Sequence, residues 1–444
     1  MERYEKYKDS GIEWIGEIPE HWDVKRLKYC ADANPSNIDK KSKENEDEIL
    51  LCNYVDVYKN DYISGKLDFM KATASKDQIS KFILEKGDVI LTKDSESAND
   101  IGIPALVAES FDNVVCGYHL THIKPKKIKG EYLFRQFQCS FQQSYFEVSA
   151  NGVTRYGLGT DKFNSAIILV PSSEEQSNIA IYLDHKTTEI DYIIANKQKL
   201  ITLYEEEKQA IINQAVTKGL DFNVKFKDSE IEWLGEIPEH WTLKKIGYCS
   251  TIVRGGSPRP SGDPRYFCGD YMPWITVKEV TNAVGKFIVS TDEYLTEEGS
   301  KLSRIILPET LLLSNSGATL GVPKISKIKG CINDGSVAFT SFRDCLLRDY
   351  LYHYFVSHTN IYREEMKGNG QPNLNTEIIK STLIPVPPIE EQLQIIDYIE
   401  TECKQFDVII EKFRNQVILL QEYRTTLISE VVTGKIKLLN TIEA

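Results

Sequence analysis

Apolar residues recur at alternating steps of four and three along two stretches of the chain, a spacing that predicts two long helices. In the later stretch the positions are Ile395, Ile399, Cys403, Phe406, Ile410, Phe413, Val417, Leu420, Arg424, Leu427 and Val431. In the earlier one they are Ile179, Leu183, Thr187, Ile190, Ile194, Lys197, Ile201, Tyr204, Lys208, Ile211 and Ala215. Such a step keeps one stripe of a helix facing a partner, so each stretch needs a second helix to cover it. Ser173 with Gln176 reads as a capping box, and Gly219 and Gly434 as the residues that stop the two helices. Each helix is then about 40 residues, or roughly 60 Å at 1.5 Å per residue. Lys208 and Arg424 share one seam position and are expected to snorkel to the seam's edge. The simplest burial for both stripes is against each other, as an antiparallel coiled coil.

Outside these stretches, short apolar runs bounded by Gly, Pro, Asn and Asp predict strands of mixed α/β domains. KGDVILTK around Asp88 has the outline of LPETLLLS around Glu309, and IGIPALV from Ile101 that of LGVPKIS from Leu320. Cys116 with Gly117 matches Cys331 with Ile332. Stronger repeats flank these blocks. KDSGIEWIGEIPEHWDVKRLKYC from Lys8 returns as KDSEIEWLGEIPEHWTLKKIGYC from Lys227, about two thirds identical at a period of about 219 residues. ILVPSSEEQSNIAIYL from Ile168 answers IPVPPIEEQLQIIDYI from Ile384, and AVTKG from Ala215 answers VVTGK from Val431. Trp14, Trp22, Trp233 and Trp241 flank the linkers and are expected to be packing anchors.

The chain is thus read as an α+β protein with an internal pseudo-two-fold repeat. Two globular mixed α/β domains are separated by two long antiparallel helices forming a coiled coil. The order is a linker over 1–23, a first domain over 24–173, a central helix over 174–221 and a second linker over 222–242. A second domain over 243–387, a C-terminal helix over 388–436 and a tail over 437–444 follow. Shared frames with different loop residues are what two readers of two targets need.

Composition narrows the setting. With 444 residues, 41% hydrophobic and 27% charged, the chain is an ordinary globular protein of several domains. It has no apolar run of about 18 residues to span a membrane, and its charged start lacks the apolar core of a secretion signal. Nine cysteines without a CxxC pair point to free thiols in a reducing, cytoplasmic compartment. The net charge of −12 is unevenly spread: Val24 to Ser173 carries about 20 bases and 20 acids, and Leu243 to Thr376 about 16 and 13. The acid lies in the helices and linkers, so neither domain repels a polyanion overall.

Catalytic signatures are missing from the sequence. It has no GxxxxGK[ST] phosphate loop. The Pro387-Pro388 pair lacks the preceding Asn or Asp of an amino-methyltransferase tetrapeptide, and Asn34-Pro35-Ser36-Asn37 reads as a turn. Asp88 and Lys93 lack the second acid of a nuclease cluster. His119 and His122 have no neighbouring acid pattern for a metal. No catalytic residue and no metal site is expected. A single-chain enzyme is thereby disfavoured, and a coiled-coil scaffold whose globular blocks bind protein is the alternative.

The GEIPEHW linkers, the VPPIEEQ-type helix starts and the duplicated layout resemble the specificity subunits of Type I restriction–modification systems, over essentially the whole chain. NGVTRYGLG from Asn151 and GNGQPNLN from Gly368 look like the family's closing loops, and RGGSPRPSGDPRYF from Arg254 like its opening pattern. The resemblance implies two target-recognition domains, each reading half of a split, asymmetric site in double-stranded DNA. It implies helices that set the spacer and dock two adenine-methyltransferase subunits, with two motor-nuclease subunits joining them. S-adenosylmethionine, ATP and Mg are then expected only on those partners.

Bidentate Arg to guanine and Asn or Gln to adenine are the usual base readers. Thr154, Arg155 and Tyr156 in one closing loop, and Gln371, Asn373 and Asn375 in the other, carry that chemistry. Arg254, Ser257, Arg259 and Arg265 lie in a Gly- and Pro-rich loop suited to phosphate. Lys93, Ser95 and Asn99 follow the first domain's apolar strand, with Asn315 and Ser316 in the matching place.

Overall fold

In the computed structural model residues 2–316, 319–365 and 374–438 are described. The chain divides into two units, Met1–Gln198 with Asn415–Ala444, and Lys199–Arg414. The long helices α1 (Ser173–Lys218) and α2 (Ile389–Val432) each contribute to both units.

In the first unit a five-stranded sheet runs in the order Ala31–Pro35, Leu120–Pro125, Val89–Thr92, Pro104–Val107, Tyr62–Ile63. Its pairs are antiparallel except the last, which is parallel. A smaller sheet joins Val114–Cys116, Asp47–Cys52 and Met70–Ala74. The linker folds as a hairpin, Tyr7–Asp9 on Glu17–Pro19, and its continuation Asp23–Arg26 pairs with Ile167–Val170. That pairing closes the domain where it opened. The core joins Trp22, Leu133, Phe137 and Phe163 to Ile179, Leu183 and Ile190 of α1 and Leu427, Ile428 and Val431 of α2.

The second unit repeats this plan. Its five-stranded sheet has the matching order Ser250–Arg254, Ser336–Phe342, Thr310–Ser314, Pro323–Ser326, Phe287–Ile288, again with only the last pair parallel. The linker hairpin Phe226–Asp228 on Glu236–Pro238 and the closing pair Thr242–Lys245 on Leu383–Val386 return as well. Its core packs Trp241, Tyr350 and Phe355 against Ile212, Ala215 and Val216 of α1 and Ile395 and Ile399 of α2. The duplication seen in the linkers therefore extends through the diverged domains.

The repeated linker words acquire a physical reason. His21 and the Trp22 indole meet Glu175 at the start of α1, and His240 and the Trp241 indole meet Glu391 at the start of α2. The next residue, Gln176 or Gln392, is buried and ties its helix to its domain. Gln176 donates to the Pro171 carbonyl and accepts from the Lys129 amide; Gln392 donates to the Pro387 carbonyl and accepts from the Leu347 amide. Buried polar groups need partners, so EHW and EEQ are complementary halves of one joint.

Several sequence expectations shift. The capping box at α1 is Ser172 with Glu175, one residue before Ser173 and Gln176, because Glu175 rather than Gln176 faces back to the cap. Gly219 and Gly434 end the helices as expected, at φ +76° and +70°. In α1 Ile212, not Ile211, is the fully buried residue beside Ala215. Lys208 and Arg424 do not simply snorkel: Lys208 pairs with Asp407 at 2.5 Å, and Arg424 with Asp61 and Asp191 at 2.6 and 3.0 Å. Trp22 and Trp241 are fully buried, whereas Trp14 is 63% exposed. Cys116 aligns with Ile332 rather than Cys331, since Cys116 sits opposite Cys52 and Ile332 opposite Ile275 in the parallel pairs.

Candidate nucleic-acid interface

Four loops of the first domain converge at one end of its five-stranded sheet, and backbone hydrogen bonds hold them there. Ser36, just past the first strand, donates its amide to the Leu120 carbonyl at 2.9 Å. Thr92 ends the central strand; its carbonyl accepts from Gly102 at 3.0 Å and its hydroxyl from Ile103 at 2.9 Å. The next residue, Lys93, donates its amide to the His119 carbonyl at 3.0 Å and accepts from the Leu158 amide at 2.8 Å. Tyr156 of the closing loop pairs with Ser95.

The second domain has the same frame with other residues. Gly255 donates to Ser336 at 3.0 Å, and Ser314 accepts from Gly321 on its carbonyl and Val322 on its hydroxyl, both at 2.8 Å. Asn315 donates to Gly335 at 3.0 Å and accepts from Leu374 at 2.8 Å. Lys93 is therefore equivalent to Asn315, Tyr118 to Asp334 and His119 to Gly335. Main-chain bonds carry no side-chain information, so the frame tolerates different side chains at these positions, proline at Lys93 or Asn315 excepted for want of an amide hydrogen.

Side chains on the first frame form a charged cluster. The Asp94 carboxylate receives the Arg155 guanidinium Nη2 at 2.5 Å on one oxygen and His119 Nδ1 at 2.9 Å on the other. Lys93 donates to the Ser36 carbonyl at 2.8 Å and stands 4.4 Å over the half-exposed ring of Tyr118. Burial lowers the Lys93 ammonium below its ordinary value, with Asp94 pulling the other way. Tyr54, raised by burial, touches Ser95 through its hydroxyl and stacks on Tyr58. On the second frame the hub is Asp334: its side chain accepts from Ser257 at 2.6 Å and Arg259 at 3.4 Å, and its carbonyl from Arg254 at 3.2 Å and Asn315 at 3.2 Å.

The residues singled out from sequence fall into four groups. Thr154, Arg155, Asn99, Arg254, Arg259 and Arg265 are exposed on the loops, with Tyr156, Ser257 and Ser316 half-buried among them. Arg265 is held by Asp263. Ser95 and Asn315 are buried in the frame, and Lys93 is half-buried, braced inward. Asn375 caps the helix Thr376–Ser381, its side-chain oxygen accepting from Glu377 and Ile378. Gln371 and Asn373 lie outside the described residues. Sequence reasoning missed Asp94, Tyr118, Tyr54 and Asp334. It also gave His119 and His122 no acid partner, whereas His119 meets Asp94 and the buried His122 meets Asp88 at 2.6 Å. No chain-local spacing signals these meetings. Asp88 itself accepts from the Glu85 amide, so it braces a turn.

A family model described as the Type I restriction modification DNA specificity domain matches residues 19–203 and again 238–419. A putative type I restriction enzyme MjaX specificity subunit of Methanocaldococcus jannaschii is 26% identical over 442 residues, 95% of each chain. The type I restriction enzyme MjaIX specificity subunit of the same organism is 30% identical over 444 residues, again 95% of each. A solved structure concerned with complex assembly and conformational transition of the type I R-M system superposes with a TM-score of 0.71. It is 17% identical and covers 94% of this chain and 99% of its own.

Proposed function

The chain belongs to the specificity subunits of type I restriction–modification systems, with two DNA specificity domains, and from that premise we propose how it divides the work. Each domain reads one half of a split, asymmetric site in double-stranded DNA through its four converging loops. The observation that supports this reading is the common main-chain frame carrying Lys93, Tyr118 and His119 in one domain and Asn315, Asp334 and Gly335 in the other. One docking mode presented with two sets of side chains suits one duplex geometry with two sequences. Exposed Thr154, Arg155 and Asn99, with half-buried Tyr156, face the first half-site. Arg254, Ser257, Arg259, Arg265 and Ser316, with Gln371, Asn373 and Asn375 of the closing loop, serve the second. Lys93, Ser95 and Asn315 shape the loops from beneath.

The two long helices set the unread gap and carry two equivalent docking surfaces, one for each of two adenine-methyltransferase subunits, with two motor-nuclease subunits completing the restriction complex. The chain itself is non-catalytic; S-adenosylmethionine, ATP and Mg are used by its partners. Replacing Val24 to Ser173 with the equivalent block of a relative tests the division of labour. Sequencing methylated DNA from cells carrying the hybrid and its methyltransferase should show one half-site changed and the other intact. Both half-sites changing together would refute independent reading, and an unchanged motif would favour a protein-binding scaffold.

A further inference from the structure

Guanine presents two acceptors, O6 and N7, side by side in the major groove, and the side chain that matches them is an arginine offering two parallel donors. Arg155 is held in a way that leaves such a fork intact. Its Nη2 carries two hydrogens, one on each two-donor edge of the guanidinium. The bond to Asp94 uses one edge. Nη2 also stands 3.2 Å from His119 Nδ1, which donates its own hydrogen to Asp94 and so has no lone pair to accept another. The other edge therefore keeps both donors, on a side chain that is 54% exposed. Lys93 cannot substitute, because its ammonium is a point charge already given to the Ser36 carbonyl. Arg26 and Arg135 lie elsewhere: Arg26 on the strand that closes the domain, Arg135 buried against Asp184.

Asp94 is the more telling residue. A carboxylate facing a polyanion costs binding unless its charge is spent on something else. Asp94 is largely buried, 16% exposed, and both of its oxygens are engaged, one by Arg155 and one by His119. A carboxylate only accepts, so the His119 bond fixes Nδ1 as that ring's protonated nitrogen. The result is a long side chain fixed at both ends before DNA arrives, which removes the rotamer cost of ordering it on binding. We infer that the first domain's half-site contains a G·C pair whose guanine is read by Arg155, with Asp94 as the positioning residue that aims it. This rests on the reading of that domain as an independent half-site reader.

The test uses the full chain assembled with its methyltransferase. Block exchange first assigns one half of the methylated motif to the first domain. Duplexes carrying 7-deazaguanine, which lacks the N7 acceptor, are then compared with normal duplexes at each guanine of that half. The expected result is a roughly 10- to 100-fold loss of affinity at one guanine, abolished in Arg155→Ala and reduced in Asp94→Asn. In cells, Arg155→Ala should relax that one position while the second domain's half-site stays intact, which also shows that the variant folds and assembles. A half-site without a G·C pair, or wild-type complex indifferent to every 7-deazaguanine, overturns the inference and leaves the half-site reading standing. Uniformly weaker binding of Arg155→Ala with an unchanged motif overturns it as well, because that is the behaviour of a phosphate contact. A motif indifferent to block exchange removes the half-site reading itself and the inference with it.

Discussion

The indole Nε1 of Trp241 donates to both carboxylate oxygens of Glu391, at 3.0 Å each. This contact joins the second linker to the start of α2, and His240 adds to it on the same carboxylate at 2.9 Å. Charge-assisted bonds at a mostly buried site each contribute more than neutral ones, and removing the acceptor leaves a fully buried indole N–H unpaired. Glu391→Ala should cost about 1–3 kcal/mol of stability. Thermal unfolding measures it, and a melting point equal to wild type would refute the joint.

Arg135 is 1% exposed and is met by Asp184 at 2.6 Å, by Tyr62 at 2.9 Å and by Gln138 at 2.7 Å. Removing Asp184 strands a buried cation, whereas replacing Arg135 with an apolar side chain of similar length removes the charge itself. Asp184→Ala should therefore destabilise more than Arg135→Met, the former by about 1–3 kcal/mol. The reverse order in urea unfolding would contradict this account.

Gly434 ends α2 at φ +70°, and a Cβ there would lie 2.4 Å from Cδ of Pro19. Gly219 ends α1 at φ +76°, but its added Cβ would meet Glu391 and Trp241 only at 3.1 Å. Both alanine variants carry the left-handed backbone cost of about 1–2 kcal/mol, and only Gly434→Ala adds a collision with a rigid ring. Gly434→Ala should melt below Gly219→Ala. Equal melting points would mean that the first linker yields without cost.

His358 is buried and stacked on Tyr354 at 4.0 Å between ring centroids. Burial pulls its pKa from 6.5 to about 4, although its bond to the Tyr354 carbonyl works in the opposite direction. The unfolded chain thus binds a proton that the folded chain refuses between those values. Stability is full above pH 6.5 and falls as pH drops towards 4, by about 3 kcal/mol. Burial lowers His353 too, so its loss adds in the same direction. Chemical unfolding of wild type and His358→Asn over this window is the measurement. A variant with an undiminished slope would exclude His358 as the source.

The ruler role of the helices has a direct test. Within the second unit Tyr204 of α1 sits between Phe406 and Phe413 of α2, and Glu205 and Lys208 pair with Arg414 and Asp407. Four residues inserted between Tyr204 and Ile211, matched by four between Phe406 and Phe413, lengthen both helices by about 6 Å and turn them by little more than one revolution. The unread gap in the methylated motif should grow by roughly one to two base pairs at about 3.4 Å each. Two-residue insertions turn the stripes away and should abolish assembly. An active four-residue variant with an unchanged gap would end the ruler idea.

The long helices and linkers were legible because their signals are local. Heptad steps, a repeated EHW and a glycine at each helix end need no knowledge of distant residues. Even there the fine placement slipped, from Ser172 to Ser173 and from Ile212 to Ile211, since a one-residue shift barely alters the periodic pattern. The domain frames were half legible: Thr92 and Ser314 stood at the ends of recognised strands, but the register of Cys116 came out one residue off. The charged hub was not legible at all. Asp94, His119 and Arg155 meet only because three separate loops cross, and nothing in the neighbourhood of any one of them names the other two. Trp14 misled for a different reason. It repeats as Trp233, yet Trp233 packs on the ring of His358 whereas Trp14 stands 63% exposed.

The division of the chain between its units has a consequence for biosynthesis. The second unit is contiguous, Lys199–Arg414, whereas the first needs Asn415–Ala444 as well as Met1–Gln198. Val417, Leu427, Ile428, Val431, Val432 and Ile436 are buried in the first unit's core, yet they leave the ribosome only after the whole second unit. Domains ordinarily complete in the order in which they are translated. Here the order should be inverted: the portion begun first must wait, with apolar residues of its core uncovered, until the whole second unit and the segment after it have been translated. A truncation after Arg414 should leave the second half protected from protease and the first half susceptible, and nascent chains stalled at that point should be the species that chaperones hold.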